Sequence, residues 1–159
     1  MLERTFDLSA LAALRHRMLV VEPPAVDPAE RADCAFTRLG DRLARRLIAE
    51  GRDFVLGSVR IEASDGGRAV AAMHAAAFAR AASPEDLRVR PLRPLAIEGL
   101  VPPLRAPAAP HLQGWLRLGA WICGEPGWDV DGAFVEIPLL LPLSRLRSRS
   151  ARRFLATAA

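Results

Sequence analysis

Apolar positions along this chain change their spacing several times, and each change predicts an element. Leu8, Leu11, Ala12, Leu14 and Met18 recur mostly every three or four residues, the repeat that gathers side chains on one side of a helix. Met18 to Val21 is a short β-prone run, stopped by Pro23 and Pro24, which offer a ladder no N–H. Asp27-Pro28-Ala29-Glu30 has the order of a helix start, with Asp as N-cap, Pro in the first turn and Glu two residues later. Phe36, Leu39, Leu43, Leu47 and Ile48 then mark one buried stripe, Arg38, Arg42, Arg45 and Arg46 fill the opposite side, and Gly51 closes the helix. Phe54 to Ile61 begins as a continuous apolar run and ends in alternation, which predicts a strand.

Asp65-Gly66-Gly67 reads as a turn, followed by an Ala-rich helix over 68–82 that carries Val70, Met73, His74 and Phe78. A short turn at Ser83 to Asp86 precedes Leu87-Arg88-Val89-Arg90, which alternates like a strand. The six prolines between Pro91 and Pro110 predict a tethered connector without regular structure. A helix over 111–121, a strand over 133–141 and a last helix over 147–155 complete the order. Helices alternating with strands predict an α/β fold, a mixed sheet with helices on both faces. At 159 residues the chain suits a single domain over 1–159.

Composition narrows the function classes. Half the residues are hydrophobic and a quarter charged, the balance of a globular domain. Arg stands at every Lys-or-Arg position, a compositional bias, and the net charge of +4 invites a nucleic-acid reading. That reading fails on distribution. The arginines are scattered, several stand beside carboxylates as in Asp41-Arg42, and none is interleaved with aromatics on which bases could stack. A basic surface equally suits an acidic carrier protein or anionic lipid headgroups. Cys34 and Cys123 have no zinc or redox spacing, and no apolar leader follows Met1, so a cytoplasmic protein, peripheral at the inner membrane, is expected. The apolar run from Ile137 to Leu143 is too short to span a bilayer. His16, His74 and His111 lack ligand or triad spacing, and Ser58 lacks a nucleophile elbow, so neither a metal nor serine-hydrolase chemistry is expected.

Two stretches carry a resemblance. His111-Leu112-Gln113-Gly114-Trp115-Leu116-Arg117-Leu118-Gly119-Ala120, followed by Cys123-Gly124-Glu125-Pro126-Gly127-Trp128-Asp129, resembles the hemolysin-like N-acyltransferases that make lyso-ornithine lipid, within the GNAT superfamily. There a K-G-Y-L-R-L-G-A segment leads to G-x-P-x-x-D, then F-x-x-x-D, an apolar strand ending in L-P, and A-R-R-F. This chain has Leu141-Pro142 and Ala151-Arg152-Arg153-Phe154 at the last two places, but Gly132 and Glu136 where the family has Phe and Asp. Upstream, Phe54-Val55-Leu56-Gly57-Ser58 is similar to the family's Y-L-F-G-C/S strand, Leu87-Arg88-Val89-Arg90 to its L-R-V-R, and Val26-Asp27-Pro28 with Arg31 to its V-x-P-x-x-R turn. The resemblance covers roughly residues 18–156 and is most specific towards the carboxy terminus.

The resemblance implies a GNAT-like sheet, with a pantetheine arm inserted where two central strands splay. The implied activity is transfer of a 3-hydroxyacyl group from acyl carrier protein, or from an acyl-CoA, to the α-amine of ornithine. No cofactor is implied as a permanent resident. Residues 1–90 would be a remnant of the acyl-donor-binding core, 91–110 the connector, and 111–159 the family-specific segment. The family's acid and Arg in L-E-x-x-R fall at Val20 and Pro23, so Glu22, two residues from Val20 and on its strand face, is the candidate base. Asp27, Arg31, Gly57 and Ser58 are candidates for the acyl donor, and Arg117, Asp129 and Glu136 for ornithine. Bland alternatives stand beside these: Arg117 as an ion pair with Glu125 or Asp129, Asp129 and Glu136 as turn and strand-edge residues, and the tryptophans as core. The family's amino-terminal strands would need on the order of a hundred more residues before Met18. The resemblance thus implies an incomplete fold, which a homodimer or a complementary chain would complete. A catalytically degenerate module that binds a partner or a lipid surface is the alternative.

Overall fold

A computed structural model describes residues 2–21, 42, 45–97, 99 and 109–146. It has a mixed five-stranded sheet and a separate two-stranded ribbon. In chain order the strands are β1 (Phe6–Asp7), β2 (Met18–Val20), β3 (Phe54–Glu62), β4 (Arg90–Pro91), β5 (Trp121–Ile122), β6 (Gly127–Trp128) and β7 (Phe134–Pro142). The helices are α1 (Arg68–Ala81) and α2 (Pro110–Leu118), with a 3₁₀ helix at Ser9–Arg17. Sheet order is β2-β3-β7-β5, with β6 also on β7, and β1 pairs with β4. β2 runs parallel to β3, and the other pairs are antiparallel.

β3 and β7 form the spine, paired from Phe54–Pro142 to Glu62–Phe134. Each has nine residues, the side chains alternating between faces. Val55, Val59, Val135, Ile137, Leu139 and Leu141 join Val70, Met73 and Ala77 of α1 and Leu112, Trp115 and Leu118 of α2 in one core. Leu56 and Leu140, on the opposite face, join Leu2, Phe6, Leu11 and Met18 in a second. α1 and α2 therefore belong to one face, while the 3₁₀ helix and the amino-terminal segment cover the other. Coverage on both faces explains the continuous apolar run in β3. The run gives way to alternation at exposed Arg60 and Glu62, where the second core ends. Burying a leucine as fully as Leu139 or Leu140 contributes about 2 kcal/mol.

Several expectations need correction. The helix expected over 8–18 is 3₁₀, and of its residues Leu11 is the buried one. The helix expected over 111–121 ends at Leu118, because Gly119 at φ 102° forms a left-handed C-cap and Trp121 already lies in β5. The strand expected over 87–90 reduces to a single bridge from Val89 to Gly124 and the short pair β1–β4. The connector from Pro91 is tied to the sheet by Leu92 N–H donating to Thr5, Leu95 N–H donating to Pro126, and a bridge from Pro94 to Gly127. The expected Asp27 helix start and the helix over 147–155 lie outside the described residues; 45–49 are helical.

Pro138 occupies the middle of a central strand, a place proline usually avoids. Its carbonyl accepts from Cys123 N–H at 3.1 Å, so its nitrogen also faces the β5–β6 side. There the partner strand is interrupted between Ile122 and Gly127, and no ladder carbonyl is left waiting for the missing N–H.

Candidate functional site

The covered end of the second face is apolar, and polar groups begin at the Ser58–Pro138 pair. Ser58, Arg60 and Glu136 share this face by register, since Arg60 stands opposite Glu136 and Ser58 is two residues away on the same strand. Ser58 Oγ–H donates to Glu136 Oε2 at 2.9 Å, and both side chains are buried. Gly127 pairs with Glu136 on its other side. A Cβ on Gly127 would press into Pro91 at 2.7 Å, so the absent side chain lets the segment from Pro91 to Arg93 lie against β6.

Asp129, in the turn between β6 and β7, is buried as well. Its Oδ1 accepts from Ala133 N–H at 3.1 Å and Phe134 N–H at 3.2 Å, while Oδ2 accepts from Arg60 Nη2 at 2.5 Å. Burial raises the carboxyl's pKa, but the Phe134 N–H and the Arg60 guanidinium together outweigh it and hold the group below the ordinary aspartate value. Arg60 also lies 4.0 Å above the Phe134 ring. Arg93 Nη1 donates to the carbonyls of Asp129 and Val130 at 3.1 and 3.0 Å, which pins the turn from outside.

Of the sequence candidates, Ser58 and Glu136 thus form one bonded pair, and Asp129 is bonded to Arg60, which stands opposite Glu136 by register. Gly57 points to the other face, where a Cβ would stand 3.1 Å from Trp115 and 3.2 Å from Val21. Arg117 is exposed in the last turn of α2, away from Ser58, Asp129 and Glu136. Glu22, Asp27 and Arg31 lie outside the described residues. Sequence reading missed Arg60; the available signal was a cation in the alternating end of β3, opposite a carboxylate. Replacing Ser58 with Ala is expected to cost about 2 kcal/mol, because a buried carboxylate loses its donor, a loss that urea unfolding of the variant measures directly.

A second group of functional side chains surrounds a cleft of about 820 Å³ between α1 and the segment 85–97. His74 is buried, and its Nε2 lies 3.0 Å from the Gly124 carbonyl. Burial pushes its pKa below the usual histidine value, so the ring is neutral at pH 7, with Nε2 as the donor. Phe78 stacks on His74 at 5.2 Å, and Arg88 lies 5.2 Å over Phe78. Arg88 Nε is shut off from water and has no hydrogen-bond partner, a condition that costs about 1–3 kcal/mol. Cys123, beside this cleft's floor, has its thiol pushed up to about 12 by burial, so it is not a nucleophile at neutral pH.

Among the described residues, no cluster of three or more His, Cys, Asp or Glu could hold a metal ion. No described helix is long and apolar enough to cross a membrane. Comparison with family models, curated proteins and solved structures gives no match.

Proposed function

We propose that this chain is a GNAT-like N-acyltransferase domain that takes a 3-hydroxyacyl group from acyl carrier protein, or an acyl-CoA, and delivers it to the α-amine of ornithine. One observation carries the reading. Among the described residues, β2 and β3 run parallel, paired from Met18–Phe54 to Val20–Leu56, and the last bond between them is Val21 N–H to the Leu56 carbonyl. Strand alternation then turns the N–H and carbonyl of Ser58 towards the same side, one step past that bond. A pantetheine arm has two amides, and this is where an extended amide chain would continue the ladder. Support also comes from two separately matched segments meeting there, since Gly57 of Phe54–Ser58 packs on Trp115 of Gln113–Ala120.

In this reading Glu22, directly after the parallel pair, removes the proton from the ornithinium, which must be uncharged to attack the thioester. Glu136 offers its buried carboxylate to the substrate's ammonium. Asp129 holds Arg60 and the turn in place rather than touching substrate, because its oxygens already accept from Arg60 and two backbone N–H groups. That engagement favours a second reading, a non-catalytic module that binds a partner protein or a lipid surface.

Incubation with 3-hydroxyacyl-acyl carrier protein and ornithine separates the two. Acylated ornithine from the wild type, reduced at least about 100-fold by Glu22→Gln, is the expected result. A folded chain that forms no product would rule out the enzyme and leave the binding module.

A further inference from the structure

The cleft beneath Arg88 is a binding site, we infer, for a small carboxylate with an apolar body, and it is separate from the Ser58–Glu136 pair. Its size is that of sites that enclose a small organic molecule. Its walls divide by chemistry. Phe78, Pro91, Pro94 and Ile97 line it with apolar surface, while Arg88 contributes a guanidinium whose Nε–H lacks an acceptor.

The guanidinium is supported but not clamped. Phe78 supports one face of it, and the Nη2 edge reaches only a long contact, 3.5 Å, to the Ser83 carbonyl. Nε and Nη2 together form the side-on edge of the guanidinium, which two oxygens of one carboxylate match. A small turn of the guanidinium over the Phe78 ring would bring that edge to an anion in the cleft. His74 adds no charge, because its ring is neutral and its Nε2–H is spent on Gly124. Gly124 completes the floor. A Cβ there would collide with the Val89 carbonyl, so only glycine allows the two segments to meet and close the cleft from below. Glu85, Glu125 and Arg90 stand in the lining as well, so two carboxylates face two guanidinium groups and the balance disfavours ligands with more than one negative charge.

This inference does not rest on the acyl-transfer reading. Calorimetric titration with octanoate tests it, with octanol and inorganic phosphate as the apolar and anionic halves of the ligand. Saturable binding of octanoate is expected, at least about tenfold tighter than either half alone. Arg88→Gln should weaken octanoate about tenfold and leave octanol unchanged. Ala75→Phe fills the cleft from an exposed position on α1 and should abolish binding while the melting temperature stays put. Equal binding of octanol, equal binding of phosphate, undiminished binding to the well-folded Ala75→Phe variant, or no binding by the wild type would each overturn the inference.

Discussion

Gly119→Ala is expected to lower the stability of this protein by about 3–4 kcal/mol. Two costs combine. Gly119 sits at φ 102°, where a Cβ is strained whatever surrounds it. It also faces the carbonyl oxygen of Arg145, which an added Cβ would overlap. The contact is backbone, so no flexible side chain can give way. The short 3₁₀ segment after β7 (Leu143–Arg145) is packed against the end of α2, and Arg145 Nε donates back to the Gly119 carbonyl at 3.1 Å. Moving Arg145 therefore loosens the exit of β7 as well as the helix cap. For a chain of this length the melting temperature should fall by about 10 °C. A fall under about 2 °C would mean that the segment at Arg145 can be displaced freely.

Asp129→Ala is expected to cost about 3 kcal/mol, and Asp129→Asn about 1 kcal/mol. Alanine leaves the Ala133 and Phe134 N–H groups without their acceptor and Arg60 without its partner. Asparagine keeps an acceptor for the backbone and removes only the charge, and the Arg60 side chain, 43% exposed, is screened by water. The pH dependence has a definite sign. The folded pKa lies below the ordinary aspartate value of 3.8, so the stabilisation is complete above that value and is lost as pH falls through the lower folded one. The gap between wild type and Asp129→Asn should accordingly be constant near neutrality and close in strong acid. Urea unfolding at a series of pH values measures it, and a gap that widened on acidification would contradict the assigned role.

How much of this was legible in the sequence follows from element length. β3, β7 and α1 are long enough to express a period, and their expected spans agree with the structure to within a residue or so. β1, β4, β5 and β6 have two residues each, and no period can be read from two residues. Trp121 falls in the expected helix because the spacing of Leu112, Trp115, Leu116 and Leu118 is extended to it. Gly119, between Leu118 and Trp121, carried the stop signal, and in that stretch the cap outweighs the period. At the amino terminus the three- and four-residue spacing fits an α-helix, but packing on the sheet left a 3₁₀ helix with Leu11 as its anchor.

The polar site was half legible. Glu136 and Asp129 stand out as carboxylates in the matched carboxy-terminal stretch, and Ser58 as the end of a matched strand. The bond from Ser58 to Glu136, and the place of Arg60 opposite Glu136, depend on strand register, which sequence spacing alone does not give. The cleft was not legible at all. His74 and Phe78 are one helical turn apart on α1, but Arg88 joins them only when the chain turns back after α1 and runs beside Cys123 and Gly124.

Pro138 bears on how the sheet assembles. A one-residue slip of β7 along β3 would have to roll the strand over to keep its hydrogen bonds, and the proline nitrogen would then face β3. The intact β3 ladder would meet a position with no hydrogen to give, and the same roll would carry Ile137 and Leu139 out of the helix-covered core. Misaligned sheets are thus penalised twice at neighbouring positions, once in the backbone and once in the side chains. A chain whose short strands carry so little alignment information of their own can take its registration from this one imino acid, even before β5 and β6 have found their places.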